Sequence, residues 1–259
     1  MRVRREKNLN NCHAVSETLG FIIMFGIMLT GITMVTLYGY PALVQQQQYS
    51  NIQNMERNMI VIQSDVNSLT YKAVPYKETT MQVSGGVLSV VRPDSNTEIT
   101  IEDGGSLDIE FRPGNLHFLS ESGDIRIALE NGAVVKKQYD GSVMLSEPRW
   151  FIDATGGTTT MVITLIQVNS SAFLAKSGIS TVQMSIKPFD INAGDNIYDS
   201  AVSGDIKIRI VVSEFTGAWN NYLKNTLGMT NDPIGSNTWK KENVDRIIIK
   251  AWEITIINL

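Results

Sequence analysis

The sequence predicts a mainly β protein: an extracellular β-sandwich or rolled sheet with one short helix, preceded by a long N-terminal helix that is first transmembrane and then amphipathic. Three observations predict it. Residues 19–40, LGFIIMFGIMLTGITMVTLYGY, run for 22 residues without charge, proline or asparagine. Residues 52–69 place apolar side chains at steps of three and four, the spacing of one helix face. From about residue 79 the apolar period falls to two, and Gly, Pro, Asn and Asp interrupt it at short intervals.

Taken in chain order, residues 1–17 read as a basic cytoplasmic leader and residues 18–40 as a transmembrane helix. A helix of 22 residues is about 33 Å long, the thickness of a bilayer's hydrocarbon core. No Asp, Glu, Lys, Arg or His occurs between Glu17 and Glu56. Tyr38 and Tyr40 close the stretch, where an amphipathic ring prefers the headgroup level. Arg2, Arg4, Arg5 and Lys7 precede it with no comparable cluster close behind, which predicts a cytoplasmic N-terminus and places the bulk of the chain outside the cell membrane as a single-pass protein. Three fates are open to such a segment: a cleaved secretory signal, a permanent anchor, or the stem of an assembling subunit. The apolar run exceeds the roughly 7–15 residues of a signal peptide, and its exit offers only a poor cleavage site near Ala42. Small residues Gly26, Thr30 and Gly31 would let a second helix approach closely.

The residues entering the helix, AVSETLGFIIMFGIMLTG from Ala14, resemble the N-termini of archaeal type IV pilin-like membrane-anchored surface proteins. The resemblance implies a prepilin-peptidase-like enzyme that cuts between Ala14 and Val15, and a stem that stays in the membrane or packs with pilin-like partners. His13 departs from the Lys or Arg usual at that place, so an uncut anchor stays open. Glu17 has two readings: a carboxylate that pairs with a neighbouring subunit's cationic N-terminus, as the resemblance implies, or a first-turn acid complementing the helix dipole beside a Ser16 cap.

The net charge of −4 divides unevenly, because residues 1–40 hold four basic and two acidic side chains. The remainder is therefore acidic, which argues against nucleic-acid binding. The single cysteine, Cys12, lies in the leader, so the exported part has no disulfide and relies on its core.

Residues 41–74 read as an amphipathic spacer helix. Pro41 is expected to kink it by deleting a backbone hydrogen bond. Ile52, Met55, Met59, Ile62, Val66 and Leu69 form a seam that could pack on the chain's own β-domain or on identical stems. Val74-Pro75 ends the helix. In the β-rich domain, residues 75–259, strands are predicted at 79–84, 87–91, 97–102, 107–111, 115–119, 125–129, 133–138, 142–146, 159–168, 180–187, 205–213, 244–250 and 252–258. One helix interrupts them, with Phe215, Trp219, Tyr222, Leu223 and Leu227 on a shared face. Two phrases, ENGAVVKKQYDGSVMLSEP (130–148) and EFTGAWNNYLKNTLG (214–228), resemble recurring segments of an uncharacterised group of archaeal anchored proteins with the same stem. That resemblance implies placement and architecture and brings no activity with it.

Catalytic and metal chemistry find little support. His117, the only histidine after the membrane segment, sits in the apolar phrase LHFL, and no G-x-S-x-G, H-E-x-x-H or P-loop pattern is present. Zinc lacks nitrogen and sulfur ligands. Asp190, Asn192, Asp195 and Asp199 gather oxygen ligands that could hold calcium, although a plain turn contains the same residues and the order is not that of an EF-hand. Asp94, Asp103 and Asp124 read as turn residues. Asn169-Ser170-Ser171 is the one N-glycosylation sequon beyond the helix. Trp150, Trp219, Trp239 and Trp252 are dispersed, as core tryptophans are. The expectation is a non-catalytic, pilin-like surface subunit, accessory or structural. The alternative is a solitary anchored binding module for a glycan, a partner protein or calcium.

Overall fold

The computed structural model describes residues 11–72, 74–93, 97–103, 105, 107–192, 194–211 and 213–259, with side chains from Glu17 onward except that of Ser203. Two compact units emerge, Met1–Ser50 and Asn51–Leu259.

Helix α1 (Asn11–Met34), in the first unit, leads into a π-helical turn, Val35–Gly39, and then into α2 (Tyr40–Tyr71), whose residues from Asn51 on belong to the second unit. Pro41 explains the wide turn. It has no N–H for the carbonyl of Leu37, and its ring crowds that carbonyl. The backbone absorbs this one residue earlier, where Tyr40 N–H donates to Val35 O, five residues back. The disturbance expected at Pro41 is therefore a π-bulge.

In the second unit α2 buries its predicted seam. Met55, Met59, Ile62, Val66 and Leu69 are at most 2 % exposed and pack among Leu88, Phe118, Ile127 and Val182. Of the two uses open to that seam, packing on the chain's own sheet is the one realised. Polar ties fix its register. Gln63 Nε2 donates to Gly132 O (2.8 Å) and Glu147 O (3.0 Å), and Lys136 pairs with Glu56 at 2.8 Å. Asp65 pairs with Lys77 at 3.1 Å and accepts the Thr79 hydroxyl.

The strands are β1 (Tyr76–Val91), β2 (Glu98–Glu102), β3 (Asp108–Phe111), β4 (Asn115–Ser120), β5 (Ile125–Glu130), β6 (Ala133–Gln138) and β7 (Gly141–Ser146). There follow β8 (Phe151–Asp153), β9 (Thr160–Asn169), β10 (Ala175–Pro188), β11 (Ile197–Val211), helix α3 (Thr216–Asn225), β12 (Thr230–Asn231) and β13 (Thr238–Asn258). Among the described residues they form one 13-stranded sheet in the order β3-β2-β11-β13-β10-β1-β4-β5-β6-β7, with β9 and β12 also on β13 and β8 on β9. Every pairing is antiparallel except β9 with β13.

The long strand β13 is the junction. Its residues 238–250 pair with β11, and residues 252–258 pair with β10. Ala251 stands at the handover, where its N–H donates to Asn196 O (2.9 Å) and its carbonyl accepts Phe189 N–H (3.2 Å). One strand that changes partners midway lets a sheet turn a corner without leaving backbone groups unpaired. Two cores result. Side chains alternate between them along β5 and β6: Ala128 and Val135 join the cluster under α3, while Leu129 and Val134 join the cluster under α2.

The sequence expectation of a mainly β domain behind a long helix holds. Its boundaries shift in several places: α2 ends at Tyr71 rather than 74, and β10 begins at Ala175 rather than 180. The predicted strands 79–84 and 87–91 are one strand, β1, carried through Gly85-Gly86 by a register shift between Val83 and Leu88. Gly86 is required there: a Cβ would sit 2.2 Å from Leu119 O. The predicted strands 244–250 and 252–258 fuse into β13, and β11 begins at Ile197 rather than 205. Strands β8 and β12 are too short to show a period.

Candidate functional site

The most distinctive surface is α1. Every side chain from Glu17 to Tyr38 is exposed, including Phe21 at 70 % and Ile27 at 70 %. Apolar residues lie all round the helix, the pattern shared by fully buried core helices and membrane spans. Three threonines of α1 and the π-helical turn satisfy their hydroxyls on the helix backbone. The hydroxyls of Thr30, Thr33 and Thr36 donate to the carbonyls of Gly26, Leu29 and Ile32 at 2.7–2.9 Å. Gly26, Thr30 and Gly31 leave a shallow groove flanked by Ile23, Ile27 and Met34. The helix is long and apolar enough to cross a membrane. The predicted cut between Ala14 and Val15 falls in the helical backbone of α1, with its side chains and the Ser16 cap outside the described residues, as is the basic leader. Glu17 is exposed.

A second feature joins the two phrases singled out in the sequence. Glu130, at the end of β5, is 1 % exposed and accepts hydrogen bonds from Ser213 Oγ (3.0 Å) and Trp219 Nε1 (2.8 Å). Burial pushes its carboxyl pKa above the ordinary range, and donors from Trp219, Ser213 and Asn115 oppose that. Ser142 Oγ accepts Ala218 N–H at the first turn of α3 (2.9 Å), and Thr226 donates to Glu147 (2.9 Å). Trp150, Trp219 and Tyr222 pack ring on ring, and Tyr222 OH donates to Trp150 O at 2.9 Å. Residues 130–148 and 214–228 are thus one structural knot, which seats α3 over β5–β7. Its hairpin turn, Asn131-Gly132, has φ values of 47° and 73°, as a two-residue turn between twisted strands needs.

The oxygen-rich residues predicted as a calcium candidate do not converge. Asp190 Oδ1 accepts Asn192 N–H (3.1 Å) and Gly194 N–H (2.9 Å), and Asp195 Oδ1 accepts Ile197 N–H (3.1 Å). Asp199 lies on β11, where both its oxygens receive the Arg246 guanidinium at 2.7 and 2.6 Å, which holds its pKa below the usual carboxylate range. Among the described residues no group of three or more His, Cys, Asp or Glu is placed to hold a metal ion. Asp103 serves its turn by accepting Gly105 and Leu107 N–H, whereas Asp94 lies outside the described residues.

Asn169, the sequon residue, ends β9 half-buried. Its Nδ2 donates to Glu253 Oε1 at 3.3 Å, and its Oδ1 accepts Ser170 N–H at 2.8 Å. His117 lies on β4 across from Ser89, with Nδ1 3.1 Å from Ser89 Oγ. Burial lowers its pKa, the charge of Glu214 opposes this, and Arg126, which pairs with Glu214, adds to it. Among the described residues no carboxylate hydrogen-bonds the ring, so the orienting acid of a nucleophile–histidine pair is missing from its contacts.

A profile of a family of unknown function, DUF7289, matches residues 13–255. The chain belongs to that family. The match takes in α1, both cores and the knot at Glu130, so family membership extends over the anchor-like helix and the sheet together. No curated protein and no solved structure matches the chain.

Sequence reasoning missed one further feature. Residues 76–83 of β1 pair with β10 on one side, but β4 joins the other side only from Gly86. Beside that open edge lies a groove of about 420 Å³ lined by Asn51, Asn54, Arg57 and Asn58 of α2 and by Thr80, Gln82 and Ser84 of β1. No periodicity marks such a place, because an unpaired edge is a property of pairing and not of side-chain order.

Proposed function

We propose that this protein is a single-pass, membrane-anchored surface protein of pilin-like type, with its N-terminus in the cytoplasm and its β-domain outside the cell. The observation that carries the reading is the exposure of every side chain from Glu17 to Tyr38, through α1 and the π-helical turn, together with the internally satisfied hydroxyls of Thr30, Thr33 and Thr36. Such a helix is costly in water and at home in hydrocarbon. Arg2, Arg4, Arg5 and Lys7 ahead of it support the orientation. The role is structural: α1 anchors or assembles, and the 51–259 unit presents a folded surface. The non-catalytic reading is supported by His117, whose ring meets Ser89 across the strands but, among the described residues, accepts or donates no hydrogen bond with a carboxylate that would orient it. The Ala14–Val15 junction and the small-residue groove on α1 support a stem that is processed and joins pilin-like partners.

Mass spectrometry of the N-terminus of protein extracted from its native membrane tests the reading. A mature chain beginning at Val15 is expected. An intact Met1 on all of it would remove the processing step and leave a plain anchor. Recovery of the full-length chain in the soluble fraction without detergent would remove the membrane assignment itself.

A further inference from the structure

We propose that the open edge of β1 is a strand-addition site for an extended segment of another polypeptide, selected for a carboxylate side chain. The proposal stands on the second unit alone and does not depend on the pilin-like reading.

The edge is a backbone feature first. Gln82 turns its carbonyl away from β10, since that oxygen accepts Asn58 Nδ2. In an antiparallel pair a residue's N–H and C=O point to the same side, so the groups of Glu78, Thr80 and Gln82 face outward together. Among the described residues no strand pairs with them there. An edge of this kind is normally guarded by charges, proline or a very short strand. The edge has charges only at its start, where Lys77 is paired with Asp65 and Glu78 accepts the Tyr76 hydroxyl; from Thr79 to Gly85 it contains no charge and no proline, and the bulge comes only beyond Val83.

The neighbouring helix makes the edge one wall of a groove. Helix α2 runs antiparallel to β1, with Asn51 beside Gly85, Asn58 at Gln82 and Asp65 at Thr79 and Lys77. Its Asn58–Gln82 hydrogen bond is long, at 3.4 Å, and an incoming backbone N–H would replace it at a shorter distance. Gly85 has a φ of 70°, and a Cβ there would come within 3.1 Å of Asn51 Nδ2. A strand lying against a helix with one strand edge free is the arrangement in which main-chain hydrogen bonds give affinity and side-chain contacts give selection.

Charge decides the partner. Among the described residues Arg57 is the one charged side chain lining the groove. It has no carboxylate among the described ion pairs, whereas its neighbour Glu56 is held by Lys136. An acidic residue in the incoming segment would meet an uncommitted guanidinium. A glycan is the weaker fit, because no aromatic ring lines the groove for a sugar to stack on.

The test uses the full chain in detergent micelles, panned against a displayed library of linear heptapeptides. Proline-free, acidic peptides are expected to enrich. A synthetic copy of an enriched peptide is expected to lose at least tenfold in affinity when alternate backbone nitrogens are methylated, since that removes its ladder donors. Gln82→Pro, which deletes an N–H that β10 does not use, is expected to lose a similar factor with an unchanged melting temperature. Arg57→Glu is expected to reverse the charge preference of the enriched peptides. Failure of any peptide to enrich, or affinity unaffected by methylation, overturns the proposal even if Gln82→Pro does not fold. Binding of a neutral oligosaccharide in place of peptide, or an edge that serves only to join two copies of this chain, would overturn the assigned partner.

Discussion

Glu130 is the residue at which sequence and structure differ most in what they say. In the sequence it is an acid beside Asn131-Gly132 that no local pattern singles out. In the structure it is sealed beneath α3 with a tryptophan and a serine donating to it. Its pKa is raised by burial, so the proton is held more tightly in the folded than in the unfolded chain. The stability that follows is fully present below the ordinary value of 4.5 and is lost as pH rises through the folded pKa. Glu130→Gln keeps an acceptor oxygen and abolishes that titration. Urea midpoints measured between about pH 4 and pH 8 should therefore show the native protein losing stability relative to Glu130→Gln as pH rises. A difference independent of pH would refute the burial argument. At the oxygen-rich residues the expectation is plainer. Asp190, Asp195 and Asp199 already accept backbone N–H groups or a guanidinium. Calcium added to the purified protein is expected to leave its melting temperature unchanged, and a saturable upward shift would restore the calcium reading.

At the scale of elements, the two helical stretches differ in pattern: α2 has one apolar face, whereas α1 is apolar all round and long enough to cross a membrane. The α2 seam was legible because its period matches a helix face, and the structure buries those same residues against the sheet. Ile62→Ala should cost about 2–5 kcal/mol, as a fully buried side chain truncated in a packed core does, read as a lowered denaturant midpoint. In α1 the same substitution has no core to disturb. There a charge is the informative change: Ile27→Lys at mid-helix should disfavour insertion by roughly 2.5–3.5 kcal/mol. Alkaline extraction of membranes should then release a larger fraction of the variant than of the native chain. Strand identity was legible where burial alternates, as in β4, and where a short apolar run is bounded by turn residues, as in β9, which is buried on both faces. It failed where a turn signal sits inside a strand, as Gly85-Gly86 does in β1, because a glycine that admits a neighbouring strand reads like a glycine that ends one.

At the scale of the molecule, the unit 51–259 carries both cores, and α2 from Met55 onward belongs to one of them. A fragment beginning at Asn51 should remain folded and monodisperse without detergent, by circular dichroism and sedimentation velocity. A fragment beginning at Pro75 should aggregate, since it exposes the surface formed by Leu88, Phe118, Ile127 and Val182. Equal behaviour of the two would mean that the helix is not part of the core.

What the sequence determined by itself were the properties written in local order. They are an apolar span of membrane length, a helix face, and a change of period from helix to strand. Each depends on residues near one another in the chain, so periodicity and composition suffice to find it. Tertiary structure alone decided that β13 changes partners at Ala251, that Glu130 meets Ser213 and Trp219, and that one edge of β1 stays open beside Arg57. Those are pairings across as many as 89 positions of sequence. They are fixed by which surfaces the packed sheet brings together, for which no local pattern of side chains supplies a code.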